Sequence, residues 1–208
     1  MLKTNLRSIN FVSSLATMHD KTIRDVGRLK AFAHPLRLRL YYALSAEEAA
    51  TASRLAQMVD ESVALVSYHL RQLADRGFLE EAPGHGDDGR ERWWRPATRG
   101  FSWSANDFSD DPAARVVAST VKREMVAHQL ARIEQFEDAQ AAWGPEWVSA
   151  AFSSDTLLRL TAAELNEMHD EMQAVVQKWH EHGRSATRDE GAPPQHVMVF
   201  MHGFPFTP

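Results

Sequence analysis

The chain contains no cysteine in 208 residues. That excludes disulfides and thiolate metal sites, and it fits a reducing compartment such as the cytoplasm. No run of apolar residues is long enough to span a bilayer, so no membrane partner is expected. The opening stretch is broken by Arg7, Ser8 and Asn10, which argues against a signal peptide. There is no nucleophile elbow, no phosphate-binding glycine loop and no HExxH pattern; Gly84-His85-Gly86 stands among turn formers rather than between a strand and a helix. No enzyme, catalytic residue or cofactor is expected. Among the histidines, His169, His180 and His182 do not share a helix face at ligand spacing, so no metal site is expected either.

Positive charge is also short overall, the formal net charge being −5. The deficit is uneven. Residues 24–100 carry 12 Lys+Arg against 11 Asp+Glu, whereas residues 101–208 carry 8 against 16. A local basic face on the first part, with an acidic remainder that discourages nonspecific contact, is compatible with a nucleic-acid partner.

What is present is organised around Thr51 to Arg76. Ala52, Leu55, Ala56 and Val59 recur at helical spacing, and Leu65, Val66, His69, Leu70 and Leu73 do so again after a break at Asp60-Glu61. Thr51 and Ser62 stand where helix caps belong. This predicts two helices joined by a tight turn, with Ser62, Val63, Ser67, Tyr68, Arg71 and Gln72 on the outer side of the second. Outward polar residues at that place suit the donors, acceptors and thymine methyls of a major groove. Gly77 closes the helix, Phe78 to Ala82 alternates as a strand, Pro83 to Gly89 is dense in turn formers, and Arg90 to Arg95 reads as a returning strand. The hairpin forms a wing, and Arg90, Arg92 and Arg95 are its candidates for phosphate or minor-groove contact. Of Trp93 and Trp94, at least one is expected to cover the core, since neighbours on a strand point to opposite faces.

Upstream, a helix begins near Thr22 and is interrupted at His34-Pro35, where a new helix runs to Leu44 with Leu36, Leu40 and Leu44 inward. Arg37 and Arg39 on its surface are open to two readings, phosphate contact or a solvated face. The run Phe32-Ala33-His34-Pro35-Leu36-Arg37-Leu38-Arg39-Leu40, with Val66-Ser67-Tyr68-His69-Leu70-Arg71-Gln72-Leu73 and Gly77-Phe78-Leu79, resembles ArsR-type winged-helix transcriptional regulators. The resemblance covers about Ile23 to Phe101 and implies a dimeric DNA-binding regulator.

Downstream, residues 113–143 lack proline and glycine, which predicts one long helix over Asp111 to Trp143 with seams at Val117, Ala118, Val121 and Met125 and at Val126, Leu130, Ile133 and Phe136. A helix so long is expected to pair with its copy in a homodimer, as a palindromic site requires. Residues 147–152 and 156–160 read as a hairpin. Thr161 and Glu164 form a capping box that opens a helix ended by Gly183, and His196 to His202 alternates as a further strand. Trp143, Trp147, Phe152, Met168, Met172 and Trp179 are candidates to line a pocket for a small-molecule effector.

The expected fold is therefore α+β and mainly helical. It comprises a flexible arm over 1–22, a winged helix-turn-helix over 23–100, and a long helix with a small C-terminal α/β domain over 101–208. The expected function is a sequence-specific, homodimeric DNA-binding transcriptional regulator, with helix 62–76 in the major groove of double-stranded DNA and the wing, about 83–92, on the backbone or minor groove. Two alternatives stay open: a protein-interaction module whose winged helix no longer binds DNA, and an effector-binding C-terminal domain that controls DNA binding.

Overall fold

A computed structural model describes residues 23–84, 91–98, 100, 101, 103, 105–108, 110–185 and 194–207. The expected arm over 1–22, most of the wing turn and Arg90 lie outside the described residues. The chain divides into two compact units, one ending at Phe136 and the other beginning at Glu137.

The first unit is α+β, with its helices packed beside one small sheet. Asp25 caps the short helix α1 (Val26–Leu29) by accepting from the Gly27 amide at 2.8 Å. A 3-10 turn over Lys30–Ala33 then drives Ala31 and Phe32 into the core. His34 takes the extended conformation that a following proline demands, and its Nδ1 accepts from the Leu36 amide at 3.2 Å to start α2 (Pro35–Glu47). Leu36, Leu40 and Leu44 are buried as expected, and Leu38 and Tyr41 are buried with them.

The chain then forms β1 (Ala50–Thr51), α3 (Ala52–Val59), α4 (Val63–Ala74), β2 (Leu79–Glu81) and β3 (Trp93–Pro96). Both expected caps are present. Thr51 Oγ1 accepts from the Arg54 amide at 3.2 Å and Ser62 Oγ from the Leu65 amide at 3.3 Å. Between the helices Asp60 turns the chain at φ 53°, in the left-handed region, and after α4 Gly77 does so at φ 72°, where glycine carries no Cβ penalty. The strands pair antiparallel in the order β1-β3-β2, with Ala50 opposite Trp94 and Glu80 opposite Arg95. The strand β1 was not foreseen; Ala50 reads as loop in the sequence because two residues carry no periodicity.

Phe32 sits at the centre of the core. Its ring stacks on Phe101 at 4.2 Å and meets Phe78 at 4.5 Å and Tyr41 at 5.4 Å. The Tyr41 hydroxyl donates to the Thr98 carbonyl and accepts from the Gly100 amide, both at 3.0 Å, which ties the end of the wing to α2. Trp94 is buried and Trp93 half-buried, so the pair divides between core and surface. The core does not stop at residue 100. Phe101, Trp103, Phe108 and the first turns of the long helix α5 (Pro112–Asp138), through Ala114, Ala118 and Val121, belong to it. The compact unit that holds this core runs to Phe136.

The second unit departs from the expected α/β arrangement. Residues 147–152 were expected as a strand, yet α6 (Pro145–Ala150) is a helix. Proline is well placed in a first helical turn, and here Pro145 begins a helix rather than merely ending the previous one. Residues 151–160 and 194–207 have no regular secondary structure, so the expected strands over 156–160 and 196–202 do not form a sheet among the described residues. Alternation marks a side-chain period, but a strand also needs a ladder partner. The capping box does form. The Thr161 amide donates to Glu164 Oε2 at 2.7 Å and the Glu164 amide to Thr161 Oγ1 at 3.2 Å, at the start of α7 (Ala162–Ser185). Helix α7 continues past Gly183, which therefore does not end it.

Candidate nucleic-acid interface

Helix α4 is held by one face only. Val66, His69, Leu70 and Leu73 are buried against the unit, whereas Leu65, expected in the same stripe, lies one step outside it and is exposed. The exposed arc carries two rows. Val63, Ser67 and Arg71, at four-residue steps, face the sheet side; Ala64, Tyr68 and Gln72, at the same step, flank them. Tyr68 is 54% exposed with its ring edge against His69 at 5.1 Å. Ser67 and Gln72 are half-buried.

A groove of about 450 Å³ runs between this helix and the wing. Val63, Ser67 and Arg71 form one wall, Glu91, Arg92 and Trp94 the other, and Thr51, Ala52 and Ser53 the floor. The structure thus gathers four of the expected residues, Val63, Ser67, Arg71 and Arg92, around one cleft. Thr51 and Ser53 were missed as site residues, because they reach the groove only through the pairing of β1 with β3. Ser62 lies instead in a shallow depression beside Ser53, Gln57 and Asp60, its hydroxyl committed to the cap.

The two described wing arginines do not share a face. Arg92 pairs with Glu81 at 3.2 Å and places its guanidinium 5.6 Å from the centre of the Trp94 ring. Arg95, three residues on, pairs with Glu80 at 2.7 Å on the opposite side of the sheet. Both pairs are exposed, so each contributes little to stability, at most about 1 kcal/mol, but they hold the guanidinium groups against the strands. Arg71 has no ion-pair partner among the described residues.

Behind the helix the charge is tied down. Arg37 donates to the Lys30 carbonyl at 3.3 Å, and Arg39 donates to the Val59 carbonyl and approaches Glu61 at 3.9 Å. Both arginines on α2 are engaged within the fold, and Arg37 has its pKa lowered chiefly by burial, then by Arg76. His69 sits 4.4 Å from the His34 ring with its Nδ1 buried and unpartnered among the described residues. Burial foremost, then His34 and Arg37, lower its pKa, so the ring backing α4 is neutral at neutral pH.

Replacing Ser62 with alanine removes the acceptor at the start of α4. The expected cost is about 1 kcal/mol of unfolding free energy, read from a urea titration followed by circular dichroism.

Of the six apolar residues considered for an effector pocket, several are exposed. Phe152 is 81% and Trp179 62% exposed. Among the described residues no helix is long and apolar enough to cross a membrane.

Residues 32–82 match the family of helix-turn-helix domains, a span from Phe32 in the core to Ala82 at the end of β2. The chain contains a helix-turn-helix domain. No curated protein matches the chain. Three solved structures align with it at a TM-score of 0.29 each: disulfide-formed AbfR at 16% identity, covering 64% of this chain and 86% of that one; an apo mutant of Lactococcus lactis ZitR at 14%, covering 81% and 92%; and RV1404 from Mycobacterium tuberculosis at 13%, covering 85% and 97%.

Proposed function

We propose that this protein is a sequence-specific, DNA-binding transcription regulator of the ArsR type that works as a homodimer. The observation that carries this is the bare arc of α4 beside the wing groove, where Ser67 and Arg71 face Arg92 across a cleft open to solvent. In this reading α4 enters the major groove, Arg71 and Ser67 address base edges, and Val63 meets a thymine methyl. Tyr68 and Gln72 flank that contact. The Ser62 end of the helix approaches a phosphate through its free amides, and the wing, including Arg90, Arg92 and Arg95, lies on the backbone or in the minor groove.

The homodimer is supported by α5. Its first seam is covered by the first unit, but its second continues to Leu130 and Ile133, which are 55% and 48% exposed. A second copy of the same helix, related by a two-fold axis, would cover them and set two reading helices on a palindrome. The match of Phe32 to Leu40 and Val66 to Leu73 with the ArsR-type pattern supports the same reading.

Selection of a binding site from a random DNA library with purified protein, followed by fluorescence anisotropy, tests it. Arg71→Ala is expected to weaken binding to the selected site by about 1–3 kcal/mol and to relax preference at one position, whereas Arg92→Ala weakens all sequences alike and lowers the salt slope by about 1. Failure to enrich any sequence, with no affinity change in either variant, overturns the reading. Binding to a protein partner that is indifferent to salt would instead favour an interaction module.

A further inference from the structure

The second unit has no buried residue among those described, although it carries a 24-residue helix and several large apolar side chains. Phe152 is 81% and Leu157 76% exposed, and residues 152–160 make no backbone hydrogen bond to any described residue. We propose that this stretch is one half of an intermolecular β-ribbon, in which residues 154–160 of two copies pair antiparallel about a two-fold axis at Leu157.

The pattern of the stretch names the occupant. Phe152, Ser154, Thr156, Leu158 and Leu160 fall on one face of a strand, and Ser153, Asp155, Leu157, Arg159 and Thr161 on the other. In an antiparallel pair centred on Leu157, Asp155 stands opposite Arg159 of the partner subunit, and the same ion pair recurs across the axis. No other centre brings that aspartate and that arginine opposite each other. On the other face the same register sets Leu160 opposite Ser154 and Leu158 opposite Thr156. Opposite charges placed across the two strands in one register stabilise such a pair, and the segment contains neither proline nor glycine to interrupt a ladder. The ribbon supplies partners for the free amides and carbonyls and gives the unit an apolar face to fold upon. The inference rests on the homodimer reading and adds a contact separate from α5.

The chain lacks cysteine, so single-cysteine trapping on the 208-residue chain is unambiguous. Opposed residues at the axis have Cα atoms about 4.5–5.5 Å apart, inside the disulfide range. Leu157→Cys is therefore expected to give a covalent dimer on mild oxidation. Phe152→Cys, displaced from its own copy by roughly 33 Å at about 3.3 Å per residue, stays uncrosslinked. In sedimentation velocity, Arg159→Asp and Asp155→Arg should each weaken dimerisation about tenfold or more, and the double variant should restore it. Equal trapping at both positions, no trapping at Leu157, or absence of rescue in the double swap overturns the ribbon. Should either charge variant misfold, trapping at Leu157 decides alone. A dimer that survives both charge reversals but dissociates in Leu130→Glu refutes the ribbon and leaves the α5 dimer standing; a wild-type chain that is monomeric at all concentrations refutes both.

Discussion

Phe32→Ala is expected to lower the unfolding free energy by about 3–5 kcal/mol, the range for truncating a fully buried phenylalanine. The magnitude follows from its position. Its ring has no solvent exposure and is shared by α2 through Tyr41, by the turn after α4 through Phe78, and by the chain leaving the wing through Phe101. Truncation leaves a cavity that three elements would have to collapse into at once, and two of them are fixed by something else: Tyr41 by Thr98 and Gly100, Phe78 by the hydrogen bond its amide donates to the Leu73 carbonyl at 3.0 Å. Domains are typically stable by only about 5–15 kcal/mol, so a large share of the folded population is at stake. Because the lost contacts join the end of α4 to the wing, DNA binding should fall in proportion to the folded fraction rather than through any single contact. Phe32→Leu, which keeps much of the volume, should lose less than half as much. Urea titrations of both variants check this, and an alanine cost below about 1 kcal/mol would remove Phe32 from the centre of the core.

The helix-turn-helix was legible in the sequence because its information is local. Thr51 and Ser62 cap the helices they precede, and the stripes of α3 and α4 bury against elements within a few dozen residues. Ser67 and Arg71 could be placed on an outer face by counting. What counting could not supply was the other side of the cleft. Thr51 and Ser53 reach it because β1 pairs with β3, more than forty residues away, and the strand involved is two residues long. Arg92 and Arg95 were candidates together, yet their separation by three residues on a regular strand sends them to opposite faces, where Glu81 and Glu80 meet them singly. Which rings Phe101 and Trp103 meet was not legible for a similar reason: the stack on Phe32 joins residues about seventy positions apart. In the second unit the apolar alternation was read as a sheet, but alternation says only which side chains share a face. Whether a strand forms depends on a partner, and none lies within the described residues of the chain itself.

The second large effect is a loss of stability in acid. His128, on α5, stacks face to face on Tyr42 of α2 at 4.8 Å with an interplanar angle of 4°, and its Nε2 is buried with no partner among the described residues. Burial foremost, then Arg132 and Arg39, bring its pKa from the ordinary 6.5 down to about 4. In the unfolded chain the ring titrates at the ordinary value, so between pH 6.5 and 4 the unfolded state takes up a proton that the native state refuses. The stabilisation is complete above pH 6.5 and is lost as the pH falls toward 4, below which it changes no further. That gap corresponds to up to about 3 kcal/mol at 1.36 kcal/mol per pH unit, and water reaching the half-buried ring reduces it to about 1–2 kcal/mol. His69 acts in the same direction, since its pKa is also lowered by burial, by His34 and by Arg37, with Glu61 opposing. Urea titrations at pH 7.5 and 4.5 separate the contributions. Carboxylates titrate in every variant alike, so the quantity of interest is the difference between wild type and His128→Phe, which keeps a ring on Tyr42 but cannot be protonated. The variant should lose about 1–2 kcal/mol less than wild type between the two pH values; equal losses would mean that the α2–α5 contact is open enough for His128 to charge in place. If it is closed, acid loosens the seam that joins the helix proposed for dimerisation to the domain proposed for reading DNA, and the dimer should release DNA before α4 itself unfolds.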